Sequence, residues 1–213
     1  MRDRTGHVYQ ELRERILDGQ LLPSETLTEV TIAAELGVSR STVRKALLKL
    51  ESECLVVIEE NKRARVRSFS LDEVLQSLEV REVLEGFIAR QAAPLLGADK
   101  IEEMRAILGE MTRCIETRDL MEYSWHNWRF HEAVYGACPN QQAVELTLAI
   151  KNRLKRFNIR TILIRKRAED SLDEHREIFA ALEAGDAEAA DVLMRRHIAN
   201  VRDVIGRHRG LLL

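Results

Sequence analysis

The sequence predicts a mainly α protein in two parts. Residues 1–69 are expected to form a winged helix-turn-helix, and residues 70–213 an all-α bundle of about six helices. Three observations lead there. Only 10 glycines and 3 prolines interrupt 213 residues rich in Leu, Ala, Glu and Arg, a composition that favours helices. The stretch LTEVTIAAELGVSRSTVRKALLKLE holds a short helix, a turn with one glycine and a second helix. From residue 70 to the end, apolar residues recur at helical spacing.

The elements follow in order. VYQELRERILDG sets Val8, Leu12, Ile16 and Leu17 on one helical face and stops at Gly19. The next helix offers Val30, Ile32, Ala33 and Leu36 before Gly37. The third takes Ser39 as its N-cap and buries Val43, Ala46, Leu47 and Leu50. In CLVVIEENKRARVRSFS, Leu55 to Ile58 are β-formers and RARVR alternates, so two short strands joined over Glu60–Arg63 form a wing. The bundle helices are expected at 71–93, 99–117, 119–136, from Asn140 into the 150s or 160s, 172–184 and 187–206. Capping boxes at SLDE 70–73 and SLDE 171–174, and a similar start at Asp99, mark three of the beginnings.

No apolar run approaches the ~20 residues that span a bilayer. MRDRTGHVYQ alternates charge without an apolar stretch, so no signal peptide is expected. The chain is therefore expected in the cytoplasm, without a membrane partner. Cys54, Cys114 and Cys138 stand at unrelated spacings and read as reduced thiols in packing roles. Residues 1–70 hold 12 Lys/Arg and 11 Asp/Glu; residues 71–213 hold 21 and 24. Clustering says more than these sums, because residues 40–67 carry eight basic side chains against four acidic ones.

In a helix-turn-helix the second helix enters the major groove with its first residues near base edges. Those residues are Arg40, Ser41, Thr42 and Arg44. The two arginines, four apart and opposite Val43, Ala46 and Leu47, suit guanine or phosphate contacts. The wing adds Lys62, Arg63, Arg65 and Arg67. The segment VYQELRERILDGQLLPSETLTEVTIAAELGVSRSTVRKALLKLE resembles the winged helix-turn-helix of the GntR family. The resemblance implies that Arg40 and Arg44 contact operator DNA and that the wing tip reaches the minor groove. The sequence departs from the family pattern at four places. Ser24 stands where Gly usually follows the proline, and Thr26 where a DNA-contacting Arg is frequent. Cys54 also replaces a usual Gly, so it must adopt a left-handed conformation or the helix must end differently. At the wing tip, Arg63 replaces the usual Gly.

Geometry also singles out three histidines. In NWRFH, His131 follows Asn127 by one helical turn. His175 lies about ten residues before a tight turn at Gly185–Asp186 and His197 about eleven after it. On antiparallel helices both sit at similar height, where one ion can bridge them. Three imidazoles with a fourth oxygen ligand suit a divalent cation such as zinc or nickel.

VREVLEGFIARQAA, NWRFHEAVYGACPNQ and EHREIFAALEAGDAEAADVLMRRH are similar to the FCD ligand-binding domain of the FadR subfamily of GntR regulators. The resemblance implies a metal held by one Asp and three His. The histidines match His131, His175 and His197, while Asn127 occupies the Asp position. Asn127 keeps a carbonyl oxygen but loses a negative charge. Metal is therefore expected to bind more weakly than at an Asp site and to be tightened by an effector carboxylate; the alternative is a polar pocket without metal. Arg81, in EVREVLE, matches a family arginine that faces the effector. It either demands an anion in a buried pocket or forms a surface pair with Glu85. The stretch 151–167 has eight cations and no acid, and reads as a solvated face, a DNA-facing surface or a source of another pocket arginine.

The expected function is a ligand-responsive, DNA-binding transcriptional repressor, a homodimer on a near-palindromic operator, sensing a small carboxylate. The rival is a metal-dependent hydrolytic enzyme with an appended DNA-binding domain, its metal activating water. A general base is missing from that picture: Glu132 and Glu174 adjoin His131 and His175, but neighbours on a helix point about 100° apart.

Overall fold

A computed structural model describes residues 3–59, 63–154, 161–164 and 166–208. The chain divides into two compact units, Met1–Ser70 and Leu71–Leu213.

The first unit runs α1 (Arg4–Leu17), β1 (Thr26–Leu27), α2 (Glu29–Leu36), α3 (Arg40–Ser52), β2 (Val56–Ile58) and β3 (Ala64–Val66). The turn between α2 and α3 works as its residues dictate. Gly37 takes a left-handed φ of 62° to end α2, and the Ser39 side chain accepts the Thr42 N–H at 3.2 Å to begin α3. Val8 and Leu12 of α1 are buried with Val43, Ala46, Leu47 and Leu50 of α3, so the predicted apolar faces form one core.

The sheet is antiparallel in the order β1-β3-β2. The wing strands β2 and β3 pair as expected; β1 was not anticipated, because two residues give no readable period. Its Leu27 is buried and pairs with Ala64. Glu60, Asn61 and Lys62, in the expected wing turn, lie outside the described residues. The pairing continues to its edge, where Glu59 N–H donates to Arg63 O at 2.9 Å.

Among the described residues of this unit two non-glycines are left-handed, Ser24 at φ 65° and Cys54 at φ 57°. Both stand where the GntR resemblance leads one to expect glycine. Cys54 follows the left-handed course: its N–H donates to Glu51 O at 2.8 Å and the Leu55 N–H to Leu50 O at 2.9 Å, turning the chain from α3 towards β2. A side chain held there costs about 1–2 kcal/mol.

The second unit contains α4 (Leu71–Ala92), a 3-10 turn (Ala93–Leu95), α5 (Ala98–Thr117), α6 (Leu120–Ala137), α7 (Gln141–Arg153), α8 (Arg167–Glu183) and α9 (Ala187–Arg207). Six α-helices and no strand occur among the described residues of this unit, as the periodicity predicts. No helix there is long and apolar enough to cross a membrane. Asp119, Asn140 and Asp186 cap α6, α7 and α9 by accepting N–H groups three residues on, each at 3.0 Å.

One expected beginning and one expected cap are wrong. Helix α8 starts at Arg167, so the SLDE of 171–174 lies inside it. Burial of Ala168, Ser171, Leu172 and His175 extends the inward face upstream, and Glu169 and Asp170 supply the acidic first turn. Helix α5 is preceded by Gly97, and Asp99 sits within its first turn rather than capping it.

Helices α4 and α9 pack closely. A Cβ on Gly86 would stand 2.6 Å from Arg195 Cγ, so glycine is what admits the Asp191–Arg195 pair of α9 against α4. Tyr123, Phe130, Met104, Met111, Ile178 and Leu182 fill the centre.

Candidate functional site

In the first unit, Arg40, Ser41 and Arg44 are exposed on the opening turns of α3, and Thr42 is partly exposed. Ser41 Oγ lies 2.8 Å from Ser39 Oγ, within the cap. Neither arginine is loose. Arg44 donates twice to Glu29, the first residue of α2, through Nε at 2.6 Å and Nη2 at 2.9 Å, and Arg40 Nε lies 3.8 Å from the same carboxylate. On the wing, Arg63 is exposed and Arg65 Nε lies 3.0 Å from Glu59. Lys62 lies outside the described residues. Glu29 is a residue that the sequence reading missed.

In the second unit, α6, α8 and α9 bring His131, His175 and His197 together. All three are buried, and each offers a nitrogen within 4.8 Å of the others. The ring centroids of His175 and His197 are 4.5 Å apart, which is where the hairpin count puts them. The outer nitrogens are already engaged. His175 Nδ1 lies 2.6 Å from Ser171 O and His197 Nδ1 lies 2.5 Å from Glu174 Oε2. A backbone carbonyl and an ionised carboxylate only accept, so both Nδ1 atoms carry the proton and both Nε2 atoms keep a lone pair. Donation of the outer N–H to a carbonyl or carboxylate is what orients imidazoles on a metal. His175 Nε2 and His131 Nε2 are 3.3 Å apart. A tetrahedral ion with bonds of about 2.0–2.1 Å sets its nitrogens about 3.3 Å apart. Asn127 lies one turn before His131, and its Oδ1 is buried without a hydrogen-bond partner.

Glu174, considered only as a possible base, is committed elsewhere. Besides His197, it accepts from Arg167 Nη1 at 3.1 Å, Arg167 Nη2 at 3.0 Å and Asn200 Nδ2 at 2.9 Å. Burial pushes its carboxyl up, but His197 and Arg167 bring it well below the usual range.

A second buried cluster adjoins the triad. Glu85, fully buried, receives Arg81 Nε at 2.8 Å and Nη2 at 2.6 Å on Oε1, and the Tyr135 hydroxyl at 2.5 Å on Oε2. Tyr135 Oη in turn accepts from Lys151 Nζ at 2.9 Å. His131 Nδ1 lies 3.1 Å from Glu85 Oε2 but without hydrogen-bond alignment. The surface pair considered for Arg81 is corrected here: the partner is Glu85, but the pair is buried. Arg81 Nη1 and Thr147 Oγ1 are buried without partners.

Burial opposes each charge, and the neighbours decide which survive. Burial raises the Glu85 carboxyl, yet Arg81, Lys151 and His131 hold it well below the carboxylate range. It takes His131 down to about 3, assisted by Lys151 and opposed by Glu85. Lys151 falls to about 8, by burial against the pull of Glu85. The basic stretch 151–167 is therefore not wholly a solvated face: Lys151 and Arg167 serve these clusters, while residues 155–160 and 165 lie outside the described residues.

Tyr135, Lys151, Glu174 and Arg167 were missed as partners, and Glu85 was foreseen only as a surface partner of Arg81. One signal was available. The buried stripe of α4 runs Val74, Leu78, Arg81, Glu85, Ile88, Ala92, so both charged residues occupy core positions.

Comparison with known proteins agrees with both halves. Residues 4–66 match the bacterial regulatory proteins of the gntR family, and residues 76–200 match the FCD domain. The HTH-type transcriptional repressor RspR of Escherichia coli K12 is 24% identical over 202 residues, covering 95% of this chain and 89% of that protein. The gluconate operon transcriptional repressor of Bacillus subtilis 168 is 28% identical over 203 residues, covering 93% and 83%. Among solved structures, E. coli McbR/YncC shares the fold, with a TM-score of 0.77 at 21% identity over 98% of this chain and all of that one. The chain belongs to the gntR family of bacterial regulatory proteins, as a DNA-binding transcriptional regulator whose helical half is an FCD domain.

Proposed function

We propose that this regulator is a cytoplasmic repressor of the FadR subfamily, acting as a homodimer and sensing a small carboxylate beside a divalent cation. Residues 1–69 read a near-palindromic operator through Arg40, Ser41, Thr42, Arg44, Lys62, Arg63 and Arg65; residues 70–213 bind the effector and dimerise. His131, His175, His197 and Asn127 hold zinc or nickel. The repressor sign is supported by the relatives named repressors. One half-site contacted by one small reading head gives modest affinity, and two related by a two-fold give specificity.

The observation that carries the metal is a conflict around His131. As a neutral imidazole it has one proton for two neighbours, His175 Nε2 at 3.3 Å and Glu85 Oε2 at 3.1 Å. A proton on Nε2 leaves a lone pair facing a carboxylate. A proton on Nδ1 leaves two Nε2 lone pairs facing each other. A cation among the three Nε2 atoms removes the conflict, with the proton on Nδ1 towards Glu85. The carboxylate effector is supported by charge: Arg81 and Lys151 share one carboxylate, and Arg81 Nη1 has no partner. An effector that favours one arrangement of the reading heads then alters operator affinity.

The test combines elemental analysis of the purified protein, titration of Zn2+ and Ni2+ after chelation, and operator gel shifts. One bound equivalent that His175→Ala abolishes supports the reading. No metal at any stage, with gel shifts indifferent to chelator, overturns it.

A further inference from the structure

The Asn127 substitution removes one negative charge from the candidate ligand set, and the sequence alone suggested that an effector carboxylate replaces it. The structure offers an internal source. Glu85 lies on α4, opposite the face of His131 that meets the other histidines. Its two oxygens are divided: Oε1 takes both near nitrogens of Arg81, while Oε2 faces His131 Nδ1 at 3.1 Å and takes the Tyr135 hydroxyl. Tyr135 is fixed by Lys151, and Arg81 by its two contacts, so the carboxylate is held from α4, α6 and α7. The oxygen turned towards His131 is thus not the one spent on the arginine.

We infer that Glu85 is the positioning carboxylate for the metal: when an ion is bound the His131 ring turns to bring its Nδ1–H, 3.1 Å from Oε2 but unaligned without the ion, into a hydrogen bond with that oxygen, which strengthens the imidazole as a donor and supports the ion in place of the charge Asn127 lacks. This inference rests on the metal reading above. Its consequence is that the site divides its work. Glu85 serves the ion, and the partnerless Arg81 Nη1 serves the effector, so metal binds before and without any carboxylate ligand. Glu174 plays the equivalent part behind His197, with Arg167 and Asn200 holding it.

The experiment titrates Co2+ alone into the full chain in carboxylate-free buffer, read by calorimetry and by the visible spectrum of the bound ion, then repeats it with acetate. Wild type is expected to bind one equivalent with the same affinity in both buffers. Glu85→Gln is expected to lose about 10–100-fold in affinity and to shift the Co2+ spectrum. Asn127→Asp placed in that background is expected to recover most of the loss. If Glu85→Gln fails to fold because Arg81 is left unpaired, Arg81→Met/Glu85→Gln, checked by circular dichroism, carries the same measurement. Equal affinity in wild type and Glu85→Gln, binding only in acetate, or failure of Asn127→Asp to rescue overturns the inference while leaving the metal reading standing. Absence of Co2+ binding in wild type under both conditions overturns the metal reading itself.

Discussion

Each half of the molecule contains an arginine gripped by a glutamate, and the two pairs differ mainly in their access to water. In the reading head, Arg44 is half exposed and its partner Glu29 is nearly covered, at 48% and 9%. In the helical unit, Arg81 and Glu85 are at 4% and 0%. An exposed pair is weak, salt-screened and easily exchanged, so on the operator reading proposed above Glu29 holds Arg44 ready and releases it to a phosphate or a guanine. A buried pair cannot be opened without stranding a charge, so it is permanent scaffolding. The same chemistry thus serves as a reversible restraint in one unit and as fixed architecture in the other.

Breaking each pair tests this contrast directly. Glu85→Ala leaves Arg81 buried and unpaired, and is expected to cost about 3–5 kcal/mol by denaturant unfolding. Glu29→Ala should barely move the unfolding midpoint; equal losses in the two variants would break the contrast. Arg44→Ala is expected to weaken binding to the cognate operator by on the order of tenfold or more in quantitative gel shifts, with non-specific DNA affected far less. Equal weakening on both DNAs would make Arg44 a plain phosphate contact.

The buried cluster should also show in a pH profile. Burial lowers Lys151 from 10.5 to about 8 in the folded state. Between those values the unfolded chain binds the proton that the folded chain has released, so the stability contribution of this group rises with pH across that window. Allowing for its partial exposure, the rise is about 1–2 kcal/mol, and Lys151→Met should abolish it in unfolding curves taken from pH 7.5 to 10.5. The smallest effects belong to the reading head. Cys54→Gly and Ser24→Gly each relieve a left-handed side chain and should stabilise the protein by about 1 kcal/mol, read as a raised Tm.

The convergence of His175 and His197 was legible because a tight turn makes chain distance a measure of height on two antiparallel helices. The arginines of α3 were legible because a short helix, a glycine turn and a capped helix leave little choice of which face is outward. Glu85 was not read correctly, although its place in the apolar stripe of α4 was visible. Pairing with Arg81 at four residues' spacing explained it too easily, and its contacts with Tyr135 and His131 join helices far apart in the chain. Glu174 was set aside because it points away from His175; that direction is what carries it to His197 on α9. Strand β1 and the true start of α8 escaped for a simpler reason. A two-residue strand has no period, and a capping signal inside a helix looks the same as one at its end.

By itself, the sequence determined the two-part architecture, the reading helix and the three histidines, because periodicity, caps and turn glycines act between residues close in the chain. Only the tertiary structure decided which ring nitrogen of His175 and His197 carries the proton, the burial of Arg81 with Glu85 and the restraint of Arg44 by Glu29. Those depend on which donor faces which acceptor across separate elements, and on how much water is left between them.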